Sequence, residues 1–220
     1  MDPTLWLGIT AGLMHVVAFA LYNKQMLRGT SIPNAATWTL WTFLTVLNVS
    51  SYAVMSGDLV KSILPAASSI ACIGTFLFSL YKGKLSRMDK WDGFALAIGL
   101  VLGFVWWWYH SAICANLILQ LSVAISFVPT YRGVWKNPAT EKAFPWYLWS
   151  FAYVLSIIVV VLRWQGQYVD LVYPVNCLIL HAVVGLLTTR KTAWFRCEHA
   201  PSEKLLLHRR GFLFYHETFC

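Results

Sequence analysis

The chain is poor in charge and poorest in acid. Of 220 residues only nine are Asp or Glu, and charged residues of both signs make up 12%, about half of what a soluble domain carries. Water is thereby excluded as the main surrounding medium. Asp58, Asp89, Asp92, Glu141 and Asp170 all fall at or beyond the ends of apolar runs, so no run carries the mid-membrane carboxylate on which ion-coupled carriers rely. Cysteine is sparse too: of five, Cys72, Cys114 and Cys177 lie inside apolar runs. Nothing in their spacing makes a disulfide framework or a metal site. Phosphate-cradling glycine loops and nucleophile–base pairs are missing at any interpretable spacing. We therefore expect no enzyme, no cofactor and no bound metal.

What is present is apolar. Hydrophobic residues make up 58% of the chain, and runs long enough to cross a bilayer, about 17–25 residues each, recur at 5–22, 35–55, 62–81, 93–109, 112–130, 145–164 and 168–188. The first lacks the basic lead-in and small-residue cleavage site of a signal peptide and reads as a helix. The expected fold is an all-α membrane protein of seven transmembrane helices. The net charge of +8 is not gathered into a nucleic-acid-binding patch. Of 17 Lys and Arg, 15 follow the first, third, fifth and seventh runs, leaving Lys61 and Arg163 for the other side. The positive-inside rule then places the N-terminus outside and the C-terminus in the cytoplasm. Basic loops there also suit anionic lipid.

The chain repeats itself. An offset of 108 superimposes Trp38, Leu40, Trp41, Phe43, Val46 and Leu47 on Trp146, Leu148, Trp149, Phe151, Val154 and Leu155. An offset of 109 aligns Gly57, Val60, Pro65, Ile70, Leu77 and Lys82 with Gly166, Val169, Pro174, Ile179, Leu186 and Lys191. This predicts a first three-helix repeat at 1–81, a basic loop and linker helix at 82–111, a second repeat at 112–190 and a basic tail at 191–220. The linker crosses once, so the two halves run parallel, an arrangement used by transporters that bind substrate between their repeats.

The segment Phe127-Val128-Pro129-Thr130-Tyr131-Arg132, running on to Trp135-Lys136-Asn137-Pro138 and Trp146–Trp149, resembles the PQ-loop pattern. Leu21-Tyr22-Asn23-Lys24 followed by Trp38–Trp41 repeats that layout without the proline. Pro174 with Asn176 is similar to the start of the last repeat helix in SWEET sugar transporters, and Phe78–Lys82 resembles the close of their third helix. The PQ dipeptide itself is absent, and Ala67 stands where a second substrate asparagine would be. The Trp146-Tyr147-Leu148-Trp149 stretch, with Ser156 and Gln165–Tyr168, also resembles PnuC-type vitamin transporters, which share the three-one-three arrangement. Both resemblances imply a facilitator for a small polar molecule, with the substrate open between a sugar, a nucleoside-like vitamin and an amino acid. They also imply that Asn176 contacts the substrate. A seven-helix ligand or sorting-signal receptor is the alternative of another class. A homo-oligomer is compatible with either.

Thr37, Trp41, Thr45, Asn48 and Tyr52 share one helical face. Pro145, Trp149, Tyr153 and Ser156 share the equivalent face of the repeat partner. Polar and aromatic groups amid apolar ones belong inside, bonded to neighbours or to a substrate. Trp41, Trp149, Asn48, Tyr52, Tyr153, Asn116 and Gln120 therefore join Asn176 as candidate binding residues. Trp38 and Trp146 are expected as interfacial anchors, and Trp106-Trp107-Trp108-Tyr109 as an aromatic belt. His15 and His181 lie inside helices, where a ring can titrate near neutral pH or stay neutral and bonded. Pro65, Pro129, Pro145 and Pro174 are candidate hinges. The Gly8 and Gly12 pair has the spacing of close helix packing.

Overall fold

A computed structural model describes residues 2–108 and 111–190. The expectations for the tail at 191–220 and for Trp106, Trp107 and Tyr109 of the aromatic run lie outside what is described. Among the described residues all regular structure is helical. The helices are α1 (Pro3–Leu27), α2 (Ala35–Ser56), α3 (Ile63–Tyr81), α4 (Lys90–Trp108), α5 (Ala112–Ser126), α6 (Val128–Lys136), α7 (Ala143–Leu162) and α8 (Val169–Thr189), with a short 3-10 turn at Pro138–Thr140.

Local chemistry sets these bounds. Asp2 caps α1 by accepting from the Thr4 amide, with Pro3 as first helical residue, and Asn34 caps α2 by accepting from the Thr37 amide. Gly57 ends α2 in the left-handed conformation at φ 60°. The α5 and α6 segments form one rod broken at Phe127. Pro129 has no N–H to donate to the preceding turn, which is the physical reason for the break.

Five rods are long and apolar enough to cross a bilayer: α1, α3, α5 with α6, α7 and α8, each with mean hydropathy of 1.8 or 1.9. Their outward faces carry Leu13, Val17, Ile70, Leu77, Leu121, Phe151, Ile179 and Leu186 exposed. Such a surface would associate in water and suits lipid. The interior is the polar side, with Asn48, Ser51, Asn116, Gln120, Ser122, Ser126 and Ser156 buried.

The α1 helix packs on α3 and α7, while α2 packs on α3 and α5; α8 packs on α7 and also touches α5 and α6, and α4 lies against α5 and α2. Close approach of α1 to α3 depends on glycine. A Cβ at Gly8 would stand 3.2 Å from Ile63 Cδ1 and 3.3 Å from the Val60 carbonyl, and one at Gly12 would stand 3.4 Å from Ala67 Cβ.

Two expectations change here. Trp38 and Trp146 are each 1% exposed and sit in the central core instead of anchoring an interface. Their rings pack on Tyr22, Trp41 and Trp149, because an indole gains more from aromatic neighbours than from headgroups when its helix face turns inward. Pro65 and Pro145 occupy the first turns of α3 and α7, where proline breaks no bond that a helix would otherwise make.

Candidate functional site

The inward faces of α1, α2, α3, α5, α7 and α8 enclose one central cavity. Polar groups of His15, Thr45, Asn48, Ser68, Tyr153 and His181 line it among the rings of Phe19, Trp41 and Phe127. Among the described residues no Asp, Glu, Lys or Arg lines it. The volume open to water-sized spheres is about 40 Å³, enough for about three waters. The aromatic wall is continuous, with ring centroids 4.7 Å apart for Trp41 and Phe127, 5.0 Å for Phe127 and His181, 5.1 Å for His181 and Tyr153, and 5.2 Å for Tyr153 and His15.

Two nitrogens around this cavity lack partners: His15 Nδ1 and Trp149 Nε1 are buried and unbonded. His15 Nε2 lies 3.1 Å from Ser68 Oγ. His181 Nδ1 lies 2.7 Å from the Cys177 carbonyl. A carbonyl only accepts, so Nδ1 carries the proton and Nε2 of a neutral His181 is an acceptor. The two imidazoles stand 6.5 Å apart.

The residues singled out by sequence fall into two groups. Trp41, Asn48, Tyr153, His15 and His181 line the cavity. Gln120, Asn116, Asn176 and Trp149 stand behind the wall and hold it. Gln120 Nε2 donates to Asn48 Oδ1 at 2.9 Å, and Asn116 Nδ2 donates to Ser51 Oγ at 3.1 Å. Asn176 Nδ2 donates to the Gln120 carbonyl at 3.1 Å and to Gln120 Oε1 at 3.3 Å, so its amide is engaged on α5. Trp41 Nε1 donates to Ser126 Oγ at 2.8 Å beside the α5–α6 break. Trp149 packs on both histidine rings.

Tyr52 serves elsewhere. Its hydroxyl donates to the Asp170 carbonyl at 2.9 Å. That carbonyl is the one Pro174, four residues on, cannot bond. Tyr52 thus satisfies the group freed by the proline inside α8 and ties α2 to α8.

Sequence reasoning missed the charged closures at the two ends of the bundle. At one end Lys61 Nζ and Asp170 Oδ2 form a 2.7 Å ion pair in which each residue is 1% exposed. Beside it Arg163 bonds Asp58 at 2.6 Å and Asp2 at 2.7 Å. Burial pushes the Asp58 carboxyl up, but the Arg163 guanidinium and the amides of Val60 and Lys61 outweigh it and hold the group below the usual carboxylate range. A readable signal existed. Lys61 and Asp170 are 109 residues apart, the offset of the second repeat register, so they are equivalent positions carrying opposite charge.

At the other end Glu141 is 5% exposed. Tyr22 donates to its Oε1 at 2.8 Å and Trp146 Nε1 to its Oε2 at 3.3 Å. Burial raises this carboxyl to about 8 against the pull of those donors. In sequence it stands only as a carboxylate beyond the end of an apolar run. What buries it is the docking of the 3-10 turn on α6 and α8, with the Thr140 carbonyl accepting from Ile32 in the loop after α1.

No family model matches this chain, and neither a curated protein nor a solved structure similar to it is found.

Proposed function

We propose that the chain is a passive facilitator for a small, uncharged polar solute, working by alternating access around the central cavity. The observation that carries this reading is an uncharged polar-aromatic cavity with a separate side-chain cluster at each end of the bundle around it. A charge-free wall disfavours amino acids, whose two charges need partners once removed from water. Ring faces and isolated donors and acceptors suit a hydroxylated ring. The cavity as it stands is smaller than any sugar, so loading requires one end to open.

In this reading seven helices cross the membrane as two parallel three-helix halves joined by α4. The packing supports it: under the repeat offset α1 corresponds to α5 with α6, α2 to α7 and α3 to α8. The α1–α7 contact therefore maps onto α5–α2, and α1–α3 onto α5–α8. Even the substitutions match, because the Gly12–Ala67 approach in one half corresponds to the Gln120–Asn176 bond in the other. Charge placement sets the Glu141 end toward the cytoplasm and the Lys61–Asp170 end outside. The aromatic wall favours a second reading within the same class, a facilitator for a flat heterocycle such as a nucleoside-like vitamin.

Uptake into proteoliposomes, with a panel of labelled hexoses, pentoses and nucleosides, tests both. Saturable flux that follows the solute gradient and shows counterflow is the expected result. Saturable binding without flux would replace the transporter with a receptor.

A further inference from the structure

Two of the clusters that close this bundle differ in one respect. At the Lys61 end every carboxylate has a cation: Asp170 has Lys61, and Asp58 and Asp2 share Arg163. At the other end Glu141 has none within salt-bridge distance among the described residues. Its immediate partners are uncharged donors, Tyr22 from α1 and Trp146 from α7. The ring of His181 from α8 lies beyond Trp146, at 5.7 Å from that indole. Among the described residues the other groups that approach are neutral: the Ser31 hydroxyl beside the carboxyl, and Asn34, Ser86, Thr130 and Thr140, which line a second pocket against Glu141. Of the charges near this pocket, Asp92 accepts from the Asn34 amide and Asp89 pairs with Arg132, while Lys142 beside Glu141 is exposed.

We propose that Glu141 is a proton-binding site that latches this end of the cavity shut when protonated and releases it when the proton is lost. The proposal rests on the alternating-access reading above. An ionised carboxylate buried without a cation is expensive, whereas a neutral carboxylic acid in the same place is tolerated. The proton leaves as H⁺ to water in the adjoining pocket, which holds about 110 Å³ for water-sized spheres, ample for several waters. Proton entry and exit occur on one side, so the solute flux stays uncoupled.

The sign follows from linkage. Glu141 binds its proton more tightly in the closed state, where burial raises its value to about 8, than in an opened state, where water returns it to the ordinary carboxylate range. The closed state is therefore fully favoured below the ordinary carboxylate value and loses that advantage as pH rises to about 8. Across this window the open population grows by up to about tenfold per pH unit, then levels off.

Infrared difference spectroscopy of the full chain in nanodiscs reads the proton directly, with no solute needed. The wild type is expected to lose a protonated-carboxyl carbonyl band as pH rises through about 8, and Glu141→Gln is expected to lack that band. Tyr22→Phe removes a donor that stabilises the carboxylate, so its band should persist to higher pH. This second variant keeps the test decisive if Glu141→Gln does not fold. Amide hydrogen exchange at Ile32, whose N–H bonds the Thr140 carbonyl at this end, reads the latch. The wild-type rate divided by the Glu141→Gln rate at each pH should climb by up to about tenfold per unit to a plateau. A band that titrates in the ordinary carboxylate range, or that survives in Glu141→Gln, overturns the site. A band that titrates as expected with a flat exchange ratio overturns the latch. Absence of solute uptake would instead remove the transport reading and leave the band unchanged.

Discussion

Lys61 and Asp170 show what a single residue decides in this bundle. Asp170 Oδ1 already lacks a partner, so its carboxylate depends on the 2.7 Å contact to Lys61 for compensation. Removing the cation with Lys61→Met should destabilise the protein by about 3–5 kcal/mol, since it leaves a buried charge alone. Replacing both, as Lys61→Met with Asp170→Leu, should recover most of that loss because neither charge then needs a partner. Equilibrium unfolding in mild detergent measures both variants. A double variant as unstable as the single one would mean that side-chain shape, not charge, holds this end. The neighbouring Asp58–Arg163 contact has the opposite pH behaviour to Glu141. Its depressed carboxyl contributes stability above the ordinary carboxylate range and loses it as pH falls through the lowered value. Residue types were legible in the sequence, but partners were not. The sequence placed Asp58, Glu141 and Asp170 at helix ends, where hydration is the usual state, and only three-dimensional packing converts a helix-end carboxylate into a buried one.

At the scale of elements the sequence was more informative, because membrane helices announce themselves by length and composition alone. The runs at 5–22, 62–81, 145–164 and 168–188 overlie α1, α3, α7 and α8. The run at 112–130 overlies α5 and enters α6, whose continuation to Lys136 carries too many polar residues to read as apolar. Helix contacts were partly legible as well. Gly8 and Gly12 do mark a close approach, and the structure identifies its target as α3. Enlarging that contact should act on the pair as a unit. Gly8→Leu forces side-chain atoms into Ile63 and the Val60 carbonyl, and should lower stability by about 1–3 kcal/mol. Gly74→Ala is the matched control: its Cβ would meet nothing within 4 Å, so thermal unfolding in detergent should move little or rise slightly. Equal losses from the two substitutions would show that helix glycines matter here for backbone freedom and not for α1–α3 approach. The aromatic stripe was less legible, since tryptophan suits both a membrane interface and a packed interior. The face read from periodicity held Trp41 but not Trp38, and did not say that this side of α2 stays buried as far as its first turn.

For the whole molecule, the cavity has meaning only through its two closures. Under the proposed alternating access at least one end must stay shut at all times, and the two ends of this bundle are held by unrelated chemistry: an ion pair with a proline-freed carbonyl at one, a carboxyl with two neutral donors at the other. Weakening one end shifts the balance between states without abolishing alternation. Lys61→Ala alone should favour exposure of the cavity toward the Asp170 end, raising solute binding from that side while slowing net transport severalfold. Glu141→Ala alone removes the carboxyl that accepts from Tyr22 of α1 and Trp146 of α7, and should favour the opposite exposure. Combined, the two leave neither end reliably closed. The double variant should then pass solute in proportion to concentration, without saturation, and lose counterflow, because a path open at both ends no longer links inward movement of one molecule to outward movement of another. Initial rates over a range of solute concentrations, with preloaded and empty proteoliposomes compared, measure this. A double variant that still saturates and still exchanges would mean that these clusters are not the gates, and that closure resides in helix packing around the cavity itself.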